Sequence, residues 1–341
     1  MKRIAICIFV LCLLLSGCTA EKEPELNRYT ATFLDLFDTV TTIVGHAHTK
    51  EEFEVQARQI HDDLQYYHQL FDVYNDYPGI ANLKTINDQA GVQPVTVDKA
   101  IIQLLNDCLS YYELTGGRVN VAMGSVLQLW HVARNDGLDD PANAYLPEAD
   151  KLQIAAEHTS PEAIIIDEAA STVFLSDAMT QLDVGAVAKG WATQKVAEKA
   201  PEGLLISVGG NVCATGVKKT DNAPWVIGIQ DPDDANGNLH TVYVSNQSVV
   251  TSGDYQRCYW VDGKAYHHII DPDTLMPGGY WRCVSIVCTD SALADALSTA
   301  LFLLPLEEGK ALVESCGADA FWVSLTGEEY MTSGFENIMR T

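Results

Sequence analysis

The chain has 341 residues, 47% of them hydrophobic and 20% charged, with 46 acidic side chains against 21 basic ones and a formal net charge of −25. That composition is ample for a full core, excludes a disordered chain and suits one large domain or two closely packed halves. The negative balance argues against nucleic acid as a partner, and an anionic ligand would need a metal ion or backbone donors to offset the field.

The opening MKRIAICIFVLCLLLSGCTA carries Lys2 and Arg3, an apolar run from Ile4 to Leu15, and then Leu15-Ser16-Gly17-Cys18, a pattern that resembles a bacterial lipobox. About twelve apolar residues fall short of the roughly 20 that a spanning helix needs. The expectation is a signal peptide over 1–17, cleavage before Cys18, lipidation of Cys18 and a membrane-tethered, extracytoplasmic chain. Cleavage removes Lys2 and Arg3, leaving 19 basic against 46 acidic groups and a net charge of −27. Residues 18–29 read as a polar tether, and 30–341 as the folded domain. Beyond Cys18, the residues Cys108, Cys213, Cys258, Cys283, Cys288 and Cys316 are widely spaced, without the Cys-x-x-Cys of a zinc site, and most read as small core residues.

Further along, Phe53, Ala57, Ile60, Leu64, Tyr67 and Phe71 recur at spacings of four and three, which predicts an amphipathic helix over 50–72. A second follows at 98–114 on Ile101, Leu104, Leu105, Cys108 and Tyr112, and a third around 121–134. Residues 163–167 and 172–176 read as strands around an acidic turn. Beyond 203, short strands bounded by Gly, Asn and Asp dominate until DSALADALSTALFLL returns to helix. Helices and strands do not alternate regularly, so the expected class is α+β with antiparallel sheets packed against helices, not a doubly wound parallel sheet.

Five stretches carry chemistry-bearing residues. In DVGAVAKGWATQK, Asp183 and two glycines precede an apolar helix bearing Lys189; a loop into a helix N-terminus binds phosphate through backbone N–H groups, yet the spacing is not a P-loop, and the plain alternative is a strand-to-helix turn. SVGGNVCATG is a Gly-rich strand junction. VVTSGDYQRCYW places Ser252, Gly253 and Asp254 between strand-like runs, as a hairpin turn would. In SALADALSTALF, Asp295 and Thr299 project from one helical face in apolar surroundings, and buried hard oxygens suit a hard cation such as Mg²⁺. In YHHIIDP, strand alternation would set one histidine inward and one outward, and an inward histidine near phosphate chemistry can act as a general base.

Together, DVGAVAKG, VGGN, TSGDY, HHIIDP and ADALSTALF, in this order, resemble the flavin transferase (ApbE) family of FAD:protein FMN transferases; VYNDYPGIANLKTIND and GRVNVAMGSVLQLW are similar to its flavin-contacting segments. The resemblance runs from about residue 30 to the end. It implies a T-fold-like α+β core and an enzyme that uses FAD and Mg²⁺, attaches FMN through a phosphoester to a threonine of an extracytoplasmic acceptor protein, and releases AMP. It further implies that Phe37, Tyr74, Val121, Ala122, Met123, Asp183, Lys189 and Ile269 surround FAD. Asp295, Thr299 and the carbonyl of Ala186 would hold the metal, and His268 would be the base; apart from the resemblance, we expect His267 to serve packing or orientation and Asp271 to orient His268. The chain departs from the family pattern at Phe37-Asp38-Thr39 in place of Met-Gly-Thr, at Asp273–Met276 after the Asp-Pro, and at Ala186 in place of a glycine. The rival readings are an FAD pyrophosphatase, with water as acceptor, and a surface lipoprotein that only binds flavin.

Overall fold

The computed structural model describes residues 25–234 and 236–340; the signal-peptide and Cys18 expectations lie outside them. In chain order, β1 (Asn27–Leu36) and β2 (Thr39–Ala47) precede α1 (Lys50–Phe71), α2 (Leu83–Asp88), β3 (Val95–Thr96), α3 (Lys99–Leu114), α4 (Gly124–Asp139) and α5 (Ala149–Ala156). Then come β4 (Ile164–Asp167), β5 (Thr172–Leu175), α6 (Ala188–Ala197), β6 (Leu205–Val208), β7 (Asn211–Ala214), β8 (Trp225–Gln230) and β9 (Asn238–Val244). The last third holds β10 (Gln247–Gly253), β11 (Tyr259–Val261), β12 (Lys264–Tyr266), β13 (Trp281–Cys288), α7 (Ser291–Phe302), α8 (Leu306–Ser315), β14 (Asp319–Ser324), β15 (Glu329–Met331) and α9 (Ser333–Ile338).

The framework is an eight-stranded sheet in the order β1-β2-β6-β7-β10-β13-β14-β15, with every pair antiparallel. The α+β class with antiparallel sheets is therefore observed. One apolar cluster joins the sheet to α1, α3, α6 and α7 through residues such as Ile43, Leu64, Leu105, Trp191, Ile286 and Leu297. A second lies between the sheet and the β8–β9 hairpin, on Trp225, Val242, Val249 and Phe321. A third, around Trp130, Leu152, Tyr259 and Leu275, ties α4 to the β11–β12 hairpin.

The predicted helices are present with shifted ends. Thr49 caps α1 by accepting from the Glu52 N–H, and Asp98 and Asp290 cap α3 and α7 in the same way. Helix α4 starts only at Gly124, because Met123 bridges Gln181 and the Gly124 N–H donates to the Gln181 carbonyl at 3.0 Å. β1 begins at Asn27, inside the stretch that composition marks as a tether. Ser252 and Gly253 are the end of β10, paired with Val284 and Cys283, and not a hairpin turn. All six cysteines beyond Cys18 are free; Cys108, Cys213, Cys283 and Cys288 are buried in the core.

Candidate active site

At one end of the large sheet, the β1–β2 tip, the ends of α1 and β10, the start of α4, the 183–189 loop, the 267–270 segment and α7 enclose a cavity of about 670 Å³. Two tight hairpins shape its rim. Gly209 and Gly210, at φ 58° and 91°, make the two-residue β6–β7 turn that favours glycine. The β1–β2 turn places Phe37 and Asp38 at φ 52° and 50° without glycine, a conformation that costs about 1–2 kcal/mol per residue.

That strained tip is held from below. The Phe37 N–H donates to His68 Nδ1 at 3.2 Å, and Tyr77 Oη lies 3.3 Å from His68 Nε2 while donating to Asp72 Oδ2 at 2.8 Å. Asp72 also accepts from the Tyr74 N–H at 2.6 Å and the Asn75 N–H at 3.0 Å, which sets Tyr74 on the cavity wall. Burial alone would raise the Asp72 pKa, but the hydrogen bonds from Asn75, Tyr74 and Tyr77 outweigh it and hold the carboxyl below the ordinary range. Aromatic residues at positions 37 and 74 thus share one polar support.

The phosphate-type loop is anchored to the segment before α4, to α2 and to α7. The Asp183 N–H donates to the Val121 carbonyl at 2.9 Å, and Asn87 clamps both backbone groups of Leu182 at 2.7 and 3.0 Å. Asp183 itself accepts from the Gly185 N–H at 2.8 Å, and burial pushes its pKa up. Helix α6 then packs on α7 so closely that a Cβ at Gly190 would collide with the Ser291 carbonyl and the Asp295 side chain. Asp295 is 5% exposed, and its pKa is raised by burial against the pull of Lys189, the Gly190 N–H and Asn211. Thr299, one turn on, lines the same cavity.

His267 and His268 lie just past β12 in a bent segment, so their bonding, and not strand alternation, tells them apart. Both nitrogens of His267 are engaged: Nε2 sits 2.9 Å from the Gly278 carbonyl and Nδ1 accepts from the Ile269 N–H at 3.3 Å. His268 lines the cavity, and its Nδ1 is buried without a partner. Burial first, then the charges of Arg257, Lys189, His267 and Arg134, push its pKa down to about 3, so the ring is neutral near pH 7 and only weakly basic as it stands. Asp271 does not orient it, since its Oδ1 pairs with Arg118 Nη1 at 3.0 Å.

Phe37, Tyr74, Val121, Met123, Asp183, Ala186, Lys189, His268, Ile269, Asp295 and Thr299 all line the one cavity; Ala122 does not, being fully buried with its N–H donated to Asn120 Oδ1 at 2.9 Å. A family model described as the ApbE family matches residues 37–322. The chain belongs to the ApbE family. Among curated relatives, an FAD:protein FMN transferase of Treponema pallidum (strain Nichols) is 37% identical over 261 residues, covering 71% of this chain and 70% of that one. An FAD:protein FMN transferase of Klebsiella pneumoniae (strain 342) is 32% identical, covering 73% and 76%. Among solved structures, the ApbE protein of Thermotoga maritima superposes with a TM-score of 0.81 at 28% identity, covering 92% of this chain and all of that one.

The ApbE-family cavity also contains residues that the sequence did not single out: Asp72, His68, His131, Arg134 and Arg257. His131 and Arg134 sit three apart on α4, and Arg257 lies inside the TSGDYQRCY stretch, but no spacing rule marks them as wall residues before the fold is known. Among the described residues no three His, Cys, Asp or Glu side chains gather as a metal cluster. The candidate metal donors are one carboxylate, one hydroxyl and one carbonyl, a hard-oxygen set that suits Mg²⁺ and would offset the burial that raises the Asp295 pKa.

Proposed function

We propose that this ApbE-family chain is an Mg²⁺-dependent FAD:protein FMN transferase that moves FMN from FAD to a threonine of an acceptor protein and releases AMP. The observation that carries the reading is the convergence, in one cavity, of a neutral and unpartnered histidine with a buried carboxylate and a half-buried hydroxyl, in a chain whose relatives bear that activity's name.

In this reading FAD lies along the cavity with its ring system against Phe37 and Tyr74 and its diphosphate toward Lys189 and the start of α6. Asp295, Thr299 and the Ala186 carbonyl would hold Mg²⁺, which supplies charge neutralisation on the phosphate oxygens. His268 takes the proton of the acceptor threonine as its oxygen bonds to the FMN phosphorus; the bond from that phosphorus to the AMP oxygen breaks, and AMP leaves with the electron pair. Burial lowers the His268 pKa most and the nearby cations lower it further; a bound diphosphate offsets the cations, so the ring regains part of its basicity when substrate is present. His267, bonded on both sides, keeps the segment in place.

The lipobox-like run extends the proposal to location: a lipid on Cys18 would tether the enzyme at the extracytoplasmic face of the membrane, where its acceptor must also lie. Loss of lipid labelling in Cys18→Ala tests that part. The function is tested by incubating the protein with FAD, Mg²⁺ and a candidate acceptor. Gain of one FMN by the acceptor with equimolar AMP supports transfer; AMP release with no acceptor gain would show a pyrophosphatase, and no AMP at all a binding protein.

A further inference from the structure

Although the chain is strongly acidic, its cavity wall carries two arginines that form no ion pair among the described residues. Arg118 and Arg282 each hold two carboxylates, Asp271 and Asp273 at 3.0 and 2.7 Å, and Asp254 and Asp233 at 2.9 and 3.0 Å. Arg134 and Arg257, both on the cavity wall, pair with no carboxylate among the described residues. In a fold with such an excess of acid, leaving these two without a carboxylate is informative, because a guanidinium not held in an ion pair keeps most of its donors for a ligand.

Arg134 is also held in place for such a task. Arg134 Nη2 donates to His131 Nδ1 at 3.1 Å, and the His131 ring stacks on Tyr74 with centroids 4.9 Å apart and planes 22° from parallel. Burial and then the Arg134 charge keep the His131 pKa down, so this ring steadies the guanidinium as a neutral acceptor without cancelling its charge. Arg257 sits at φ 46°, a left-handed conformation that costs a non-glycine residue about 1–2 kcal/mol and that tends to persist where a functional constraint demands it. Burial and then the Arg257 charge push the Arg134 pKa down, as expected of two like charges on one cavity wall. Both arginines and Lys189 act on His268, which places them around the reacting end of the cavity.

We propose that Arg134 and Arg257 form an anion clamp that grips the diphosphate of the dinucleotide substrate, with Lys189 completing the set. The planar forks match phosphate oxygens two at a time, whereas Lys189 offers a point charge. The assignment deepens the transferase reading and rests on it for the identity of the substrate, but its chemistry requires only a diphosphate.

The test is calorimetric titration of the full chain, with Mg²⁺ present, using two probes: ADP, which has the diphosphate, and riboflavin, which has the ring system and no phosphate. Arg134→Gln and Arg257→Gln should each weaken ADP by about tenfold or more and leave riboflavin within about twofold. Arg→Lys at either position should recover only part of the loss, because the charge returns without the fork. The clamp is overturned if wild type does not bind ADP, if both glutamine variants bind it normally, or if ADP and riboflavin weaken together, as misfolding would cause. It is also overturned if only the KM for the acceptor protein moves, since the arginines would then grip the acceptor. Arginine-dependent ADP binding without any FMN transfer would sustain the clamp and reject the transferase reading instead.

Discussion

The Gly190 N–H donates to Asp295 Oδ2 at 2.8 Å, within a helix contact too close for any side chain at position 190. This bond fixes the carboxylate from the first turn of α6 while Lys189, its sequence neighbour, reaches the cavity. Gly190→Ala should therefore force α6 and α7 apart, at about 1–3 kcal/mol for overpacking. Urea unfolding would show the lost stability, and FMN transfer should fall by more than the folded fraction explains. A variant with wild-type stability and activity would show that the contact is looser than described.

Asp295 offers a test that separates charge from packing. Its folded pKa lies above the unfolded 3.8, so the folded chain holds the proton more tightly, and the associated stability is present at low pH and lost as pH rises through the folded value. At pH 7 without metal, Asp295→Asn should then be as stable as wild type or more so. Mg²⁺ should raise the Tm of wild type and not that of the variant. Equal Mg²⁺ stabilisation of both proteins in thermal melts would remove Asp295 from the metal site.

The Asp72 hub predicts a binding phenotype at a residue removed from the reacting atoms. Asp72→Ala leaves the Tyr74 and Asn75 N–H groups and the Tyr77 hydroxyl without their acceptor, at a cost of about 1–3 kcal/mol. The expected outcome is a lower Tm and a raised KM for FAD, with kcat changed less, because the wall aromatics move while His268 does not. A fall in kcat alone would contradict this.

Much of the site was legible because its chemistry sits in short, contiguous runs. Asp295 and Thr299 share a helical face, and Lys189 opens a helix after a loop. What stayed hidden was built by contacts between distant segments. Arg118 captures Asp271 across 153 residues, which removes that carboxylate from His268, and the Trp130 Nε1–H reaches the Leu275 carbonyl across 145. The Phe37-Asp38 turn escaped notice because a two-residue turn of this conformation normally announces itself with Asn-Gly or Gly. Alternation also misassigned the histidine pair's geometry, since β12 ends at Tyr266 and the backbone bends before His267. Helix periodicity succeeded for α1 because one face of it meets the core along its whole length.

The burial of His268 gives a pH signature independent of turnover. Its pKa falls from 6.5 unfolded to about 3 folded, so the unfolded chain binds the extra proton first, and stability should drop as pH decreases from about 6.5 toward 3. His268→Gln removes this contribution. Melting curves across that range should be flatter for the variant than for wild type; parallel curves would mean that the ring is not held neutral by its surroundings.

The most direct test of His268 as the base is single-turnover AMP release from FAD, with Mg²⁺ and an acceptor protein, by wild type, His268→Gln and His267→Gln. A positioned base contributes roughly 10²- to 10⁴-fold, so His268→Gln should lose about that factor while still binding FAD, and His267→Gln should lose far less. Equal losses in the two variants, or a His268→Gln defect confined to FAD affinity, would contradict the account and place the base elsewhere.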